Sequence, residues 1–159
     1  MTLTVPVDIV REVRVRARAH DALTALSDFP SLLHLFPATE QVERLAGRAL
    51  RWTVEKLGPP PYAQRIIYAC RFHVDEAARR IWWEPTDDNV ADDRIHGEVT
   101  LREDGSTTLA RLSAQAEIVL DGIPFFAKRL APPIVRAEFE RLTDKFVQNI
   151  KRSLEHELA

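Results

Sequence analysis

Residues 134–157 read IVRAEFERLTDKFVQNIKRSLEHE. Val135, Phe139, Leu142, Phe146, Ile150 and Leu154 recur at spacings of four and three, which predicts a helix with one apolar stripe running from Ile134 to about Glu157. At 1.5 Å per residue such a helix is about 36 Å long. Pro133 suits its first turn, and Pro132-Pro133 marks the boundary before it. A stripe of that length needs a broad apolar surface to lie on, and the preceding chain supplies one as strands.

Val7–Ala17 alternates apolar and charged residues, with Val13, Val15 and Ala17 on one face and Glu12, Arg14 and Arg16 on the other. Asp21–Leu26 reads as a short helix with Asp21 as its N-cap. Phe29-Pro30 interrupts, and Ser31–Phe36 makes a second short helix that stops at Pro37. Strands are then predicted at Gln41–Leu45, Arg48–Leu57, Gln64–Val74, Arg80–Glu84, Arg94–Arg102 and Thr107–Leu120, separated by turn signals. Among the connections are a rigid Gly58-Pro-Pro-Pro loop and an acidic Thr86–Asp93 loop. The order predicts an α+β fold: a strongly curved antiparallel sheet of six or seven strands wrapped around the long C-terminal helix. Such a sheet reaches farther than one helix can fill, which leaves a hollow.

The whole chain of 159 residues fits one domain, and a domain of this size buries roughly two-thirds of its unfolded surface. A formal charge of −2 gives none of the broad basic footprint of nucleic-acid binders, so no nucleic-acid partner is expected. Lysine occurs only at 56, 128, 145 and 151, leaving 18 of the 22 basic residues as arginine, scattered rather than gathered on one face. Cys70 has no second cysteine to pair with. The start, MTLTVPVDIVREV, has neither the basic end nor the apolar core of a signal peptide. No stretch approaches the roughly 20 apolar residues of a membrane span. These readings expect a soluble cytoplasmic domain without integral membrane association.

The layout resembles the START-like (helix-grip, SRPBCC) superfamily, and within it the polyketide cyclase/dehydrase and lipid-transport group. The resemblance rests on Leu26-Ser-Asp-Phe29 followed by Phe36-Pro37, on Arg51-Trp52-Thr53, on Arg80-Ile-Trp-Trp-Glu-Pro85, and on the ending Leu130-Ala-Pro-Pro-Ile-Val135. It covers essentially the whole chain and implies a hydrophobic small molecule held between sheet and helix, as a carrier, a sensor or, in some members, a cyclase or aromatase.

Strand parity offers an independent reading of the inward face. Leu50, Trp52 and Val54 share one side of their strand, as do Ile66, Tyr68, Cys70 and Phe72 of theirs. Ile81 goes with Trp83, Gly97 with Val99, and Ala110 with Ala114 and Ala116. Of these, Trp52, Val54, Ile66, Tyr68, Cys70, Phe72, Trp83, Gly97, Val99, Ala114 and Ala116, with Phe139 and Phe146 of the helix, are the expected ligand-lining residues, the alanines and Gly97 leaving room and the aromatics forming the opposing wall. Inward polar groups are few: Tyr68, Cys70, the Trp52 indole N–H and, by parity with Val13, Arg11. In an enzyme, Tyr68 and Arg11 would be the catalytic pair. Cys70, flanked by Tyr68 and Phe72, reads as a small buried hydrophobe rather than a nucleophile.

The five histidines do not assemble, no metal-ligand spacing appears, and no cofactor is expected. The acidic Asp87-Asp88-Asn89 and Asp92-Asp93 lack the order of a calcium loop. Trp82 has outward parity, where it packs under a loop or anchors a homodimer or another partner through the sheet edge. Phe125-Phe126 beside Lys128-Arg129 reads as a packed gate over the long helix or as a lid touching lipid headgroups. The expected function is binding of a lipid, quinone or polyketide; the alternatives are a cyclase/aromatase-type enzyme and a protein-interaction module.

Overall fold

A computed structural model describes residues 2–57, 63–86 and 94–157. Seven strands, β1 (Leu3–Val15), β2 (Thr39–Arg44), β3 (Ala49–Leu57), β4 (Gln64–Asp75), β5 (Arg80–Pro85), β6 (Arg94–Asp104) and β7 (Thr107–Leu120), form one antiparallel sheet in the order β1-β7-β6-β5-β4-β3-β2. Helices α1 (Ala19–Leu26) and α2 (Phe29–His34) connect β1 to β2, the two edges of that sheet, and α3 (Ala131–Glu157) follows β7. This is the helix-grip architecture expected from the sequence. The Gly58-Pro-Pro-Pro and Asp87–Asp93 readings lie outside the described residues.

The differences from expectation are local. β1 begins at Leu3 and includes Pro6, which an edge strand tolerates because its missing N–H faces no neighbour. β2 starts two residues early, at Thr39. α2 starts at Phe29 because Pro30, read as an interruption, occupies the first turn, where a helix has no use for its N–H. The same reason lets α3 run through Pro132-Pro133 from Ala131. Arg18 rather than Asp21 sits at the N-cap of α1, and Asp21 lies within the first turn.

The α3 stripe is buried as predicted: Val135, Phe139, Leu142, Phe146, Ile150 and Leu154 all join the main core cluster, each worth roughly 1.5–3 kcal/mol of transfer free energy. α3 runs close along β1, touches β3, and stands farther from the strands between them. Its polar side reaches the free edge of β1. The Arg136 Nε donates to the Pro6 carbonyl at 3.0 Å, and the Lys151 Nζ to the Arg14 carbonyl at 2.6 Å. Asp144 pairs with Arg11 at 2.5 Å, and Glu155 accepts from the Arg16 backbone N–H at 3.1 Å. Helix positions 136, 144, 151 and 155 lie at eight-, seven- and four-residue steps, so one face of α3 follows one edge of β1.

Among the described residues no helix is long and apolar enough to cross a membrane, and no group of three or more His, Cys, Asp or Glu side chains is placed to hold a metal ion.

Glu155 makes the clamp sensitive to acid. Its hydrogen bond from Lys151, with that from the Arg16 N–H, holds its carboxyl down at about 2, against an ordinary 4.5. Because folding depresses this pKa, the native state binds fewer protons than the unfolded chain between those values. Its contribution is therefore complete above about 4.5 and is lost as pH falls through about 2. Glu155→Gln should lower the urea midpoint at neutral pH and flatten the stability profile across that window, as measured by urea titrations at stepped pH.

Candidate functional site

Tyr68 and Cys70 on β4, Trp83 on β5 and Trp52 on β3 project from the sheet toward α3, and all four are buried. Val54, Ile66, Val99, Ala114 and Ala116 line the same face, also buried, and Phe139 and Phe146 close it from the helix. Phe72 is half-buried and stacks on Phe29 of α2 with ring centroids 4.6 Å apart. Parity therefore found the inward wall.

It did not find what spans the interior. Phe36, just past α2, sits edge-on to Trp52 at 4.9 Å and to Phe146 at 5.5 Å, and tilts against Phe139 at 6.1 Å. Phe29 stacks on Phe72 and leans on Trp83 at 5.3 Å. Rings, not backbone, bridge the gap between α3 and the central strands. The signal for Phe29 and Phe36 was the apolar patterning of the two short helices, whose direction of packing only the fold decides.

Gly97 does not leave free room. Trp83 is its cross-strand partner, and the Trp83 indole lies where a Cβ on Gly97 would stand. Glycine here lets the large ring lie flat against β6. Trp52 is likewise committed, since its indole N–H donates to the Thr39 Oγ1 at 2.7 Å, and that hydroxyl donates to the Leu33 carbonyl at 2.8 Å.

Arg11 was expected to join Tyr68 inside. Its parity is right, but β1 is an edge strand and α3 offers Asp144 at the rim, so the guanidinium ends there, about one-third exposed, also donating to the Val10 carbonyl. The ion pair keeps it out of the interior.

What remains inside is a small polar cluster. The Tyr68 hydroxyl and the Trp83 Nε1 are buried without a hydrogen-bond partner. Trp83 and Cys70 adjoin the phenol without the geometry of a bond to it. Burial, reinforced by the adjacent Cys70, raises the Tyr68 pKa well above its ordinary range. Burial pushes the Cys70 thiol up to about 12. Near neutrality both therefore keep their protons, and the cluster presents neutral donors: a phenol O–H, an indole N–H and a weak S–H.

On the outer face, Trp82 points away from the interior as parity required. It stacks on His73 at 5.0 Å and carries the Arg80 guanidinium 4.1 Å above its ring, while Arg80 pairs with Glu98 at 2.8 Å and His73 with Glu84 at 3.0 Å. These neighbours on the sheet leave it half-buried. An open groove of about 650 Å³ beside β1 is lined by Asp8, Arg94, His96, Glu117, Arg136 and Glu140 among others, and of the expected site residues it touches only Ala116.

Residues 6–155 match the family described as polyketide cyclase/dehydrase and lipid transport. No curated protein sequence matches the chain. Among solved structures, a protein of Thermus thermophilus superposes with a TM-score of 0.74 at 15% identity, covering 96% of this chain and 99% of its own. The Zhui aromatase/cyclase of a Streptomyces species gives 0.73 at 17% identity, covering 97% and 96%. A START superfamily protein of Mycobacterium smegmatis gives 0.60 at 18%, covering 95% and 96%. At these identities the likeness is one of fold.

Two outcomes check this geometry. Gly97→Ala should displace the Trp83 ring, shift tryptophan emission and cost about 1–3 kcal/mol in urea unfolding. Cys70, the only thiol, should resist a disulfide reagent in the native protein and react promptly once urea exposes it.

Proposed function

The chain belongs to the polyketide cyclase/dehydrase and lipid transport family, and on that footing we propose that it binds a hydrophobic small molecule between the sheet and α3, as a carrier or sensor. The observation that carries this reading is the pair of unpartnered donors, Tyr68 O–H and Trp83 N–H, inside an otherwise apolar interior. Leaving a buried donor unsatisfied costs about 1–3 kcal/mol, and most buried polar groups find partners. An acceptor oxygen on an apolar molecule answers both donors at once. The ligand class is therefore a largely hydrocarbon or aromatic compound with a carbonyl, such as a quinone, a polyketide or a fatty acyl compound. The gap is spanned by aromatic side chains, which yield by rotamer changes where backbone would not.

Binding is favoured over catalysis by Arg11. The enzyme reading needs Tyr68 and Arg11 on one substrate, and the arginine is spent on Asp144 at the rim. Without it the interior offers donors but, among the described residues, no charged group.

Native mass spectrometry of the purified protein should reveal an apolar adduct that organic solvent extracts. Quenching of tryptophan emission by a naphthoquinone should saturate, and Tyr68→Phe should weaken that binding by about two- to tenfold, the worth of one hydrogen bond. The absence of both an apolar adduct and saturable quenching by any apolar carbonyl compound would overturn the reading.

A further inference from the structure

Six large apolar side chains are exposed among the described residues, and four of them fall within ten positions: Phe125 at 78%, Phe126 at 74%, Leu130 at 64% and Ile134 at 40%. They occupy a short 3-10 turn (Phe125–Ala127) and the start of α3. The segment is firmly seated. Ala127, Ala131 and Val135, four residues apart, are buried, and so is Ile123. Phe126, Leu130 and Ile134 repeat the same spacing one position earlier, so the row beside the anchoring row faces solvent.

Within this stretch of sequence, between Asp121 and Glu138, the charge is one-sided. From Gly122 to Ala137 there is no acidic residue, while Lys128, Arg129 and Arg136 are basic and exposed, in a chain whose net charge is −2. Arg136 spends its Nε on the Pro6 carbonyl. Exposed phenylalanine and leucine flanked by cations suit the boundary between lipid headgroups and acyl chains. A second copy of the chain fits less well. A two-fold contact through this patch gathers both copies of Lys128 and Arg129 into one interface with no acid from the same stretch to balance them, and like charges brought together are costly.

We infer that Phe125, Phe126, Leu130 and Ile134, with Lys128 and Arg129, dock the protein peripherally on an anionic lipid surface. The patch lies at the end of the sheet where β3, β5 and β7 finish, away from α1 and α2, which cover the other end. Docking there places the loop preceding α3 against the bilayer. The inference stands apart from the ligand reading, because none of the interior residues belongs to the patch.

Co-sedimentation with vesicles tests it. The protein should pellet with mixed phosphatidylcholine–phosphatidylglycerol vesicles, hardly at all with pure phosphatidylcholine, and less as salt rises. Phe125→Ser with Phe126→Ser should reduce the apparent partition by about tenfold or more, and Lys128→Ala with Arg129→Ala by about 30-fold. Both pairs are exposed, so urea midpoints and naphthoquinone quenching should match the parent. Failure to pellet with anionic vesicles, or pelleting untouched by either double variant, overturns the inference. So does a dimer in sedimentation equilibrium that Phe125→Ser with Phe126→Ser dissolves while vesicle binding is absent. A protein that docks on vesicles but takes up no apolar ligand would leave this inference intact and remove the function proposed above.

Discussion

One helix, about 10 Å across, has to cover a sheet whose seven strands span about 29 Å when flat, at 4.8 Å between neighbours. Much of the architecture answers that mismatch. The sheet bends around the helix, and α3 lies close against β1 while touching β3 on the other flank. The strands between them are left at a distance that only long side chains bridge. Phe36 meets Trp52 on the sheet side and Phe139 and Phe146 on the helix side, and α1 with α2 closes part of the rest by inserting Phe29 against Phe72 and Trp83. The region where a ligand is proposed to sit is thus a by-product of geometry before it is a feature of chemistry.

That geometry also sets the chemistry. Groups near the rim find partners on α3, as Arg11 does with Asp144. Trp52, close to the β2 edge, reaches Thr39. Groups on the central strands are bordered by rings, which accept no conventional hydrogen bond. Tyr68 and Trp83 are therefore left with their protons unshared. The same surroundings keep Cys70 protonated and inert at ordinary pH.

Much of this was legible in the residues. Period-two alternation depends only on the pleat, so it assigned the inward faces of β3 to β7 without knowledge of the fold. The spacing of Val135 through Leu154 did the same for α3. What failed depended on partners distant in sequence. Arg11 shares parity with Val13, but its destination was settled by Asp144, 133 residues away. Gly97 read as empty space because the Trp83 ring that fills it comes from the neighbouring strand. Pro30 read as a break because proline stops a helix from within but suits its first turn. Phe29 and Phe36 sat in short segments whose orientation no local period reports.

The edge of β1 has one more consequence. A strand at the border of an open sheet presents unpaired carbonyls and N–H groups on which another chain can build. Here the carbonyls of Pro6, Val10 and Arg14 accept from Arg136, Arg11 and Lys151, the Arg16 N–H is taken by Glu155, and Pro6 has no N–H to offer. The opposite border, β2, is six residues long and carries Glu40, Glu43 and Arg44. An open seven-stranded sheet is in this way kept from serving as a template for strand addition, and the molecule is guarded against the cross-β aggregation that its curvature alone would not prevent.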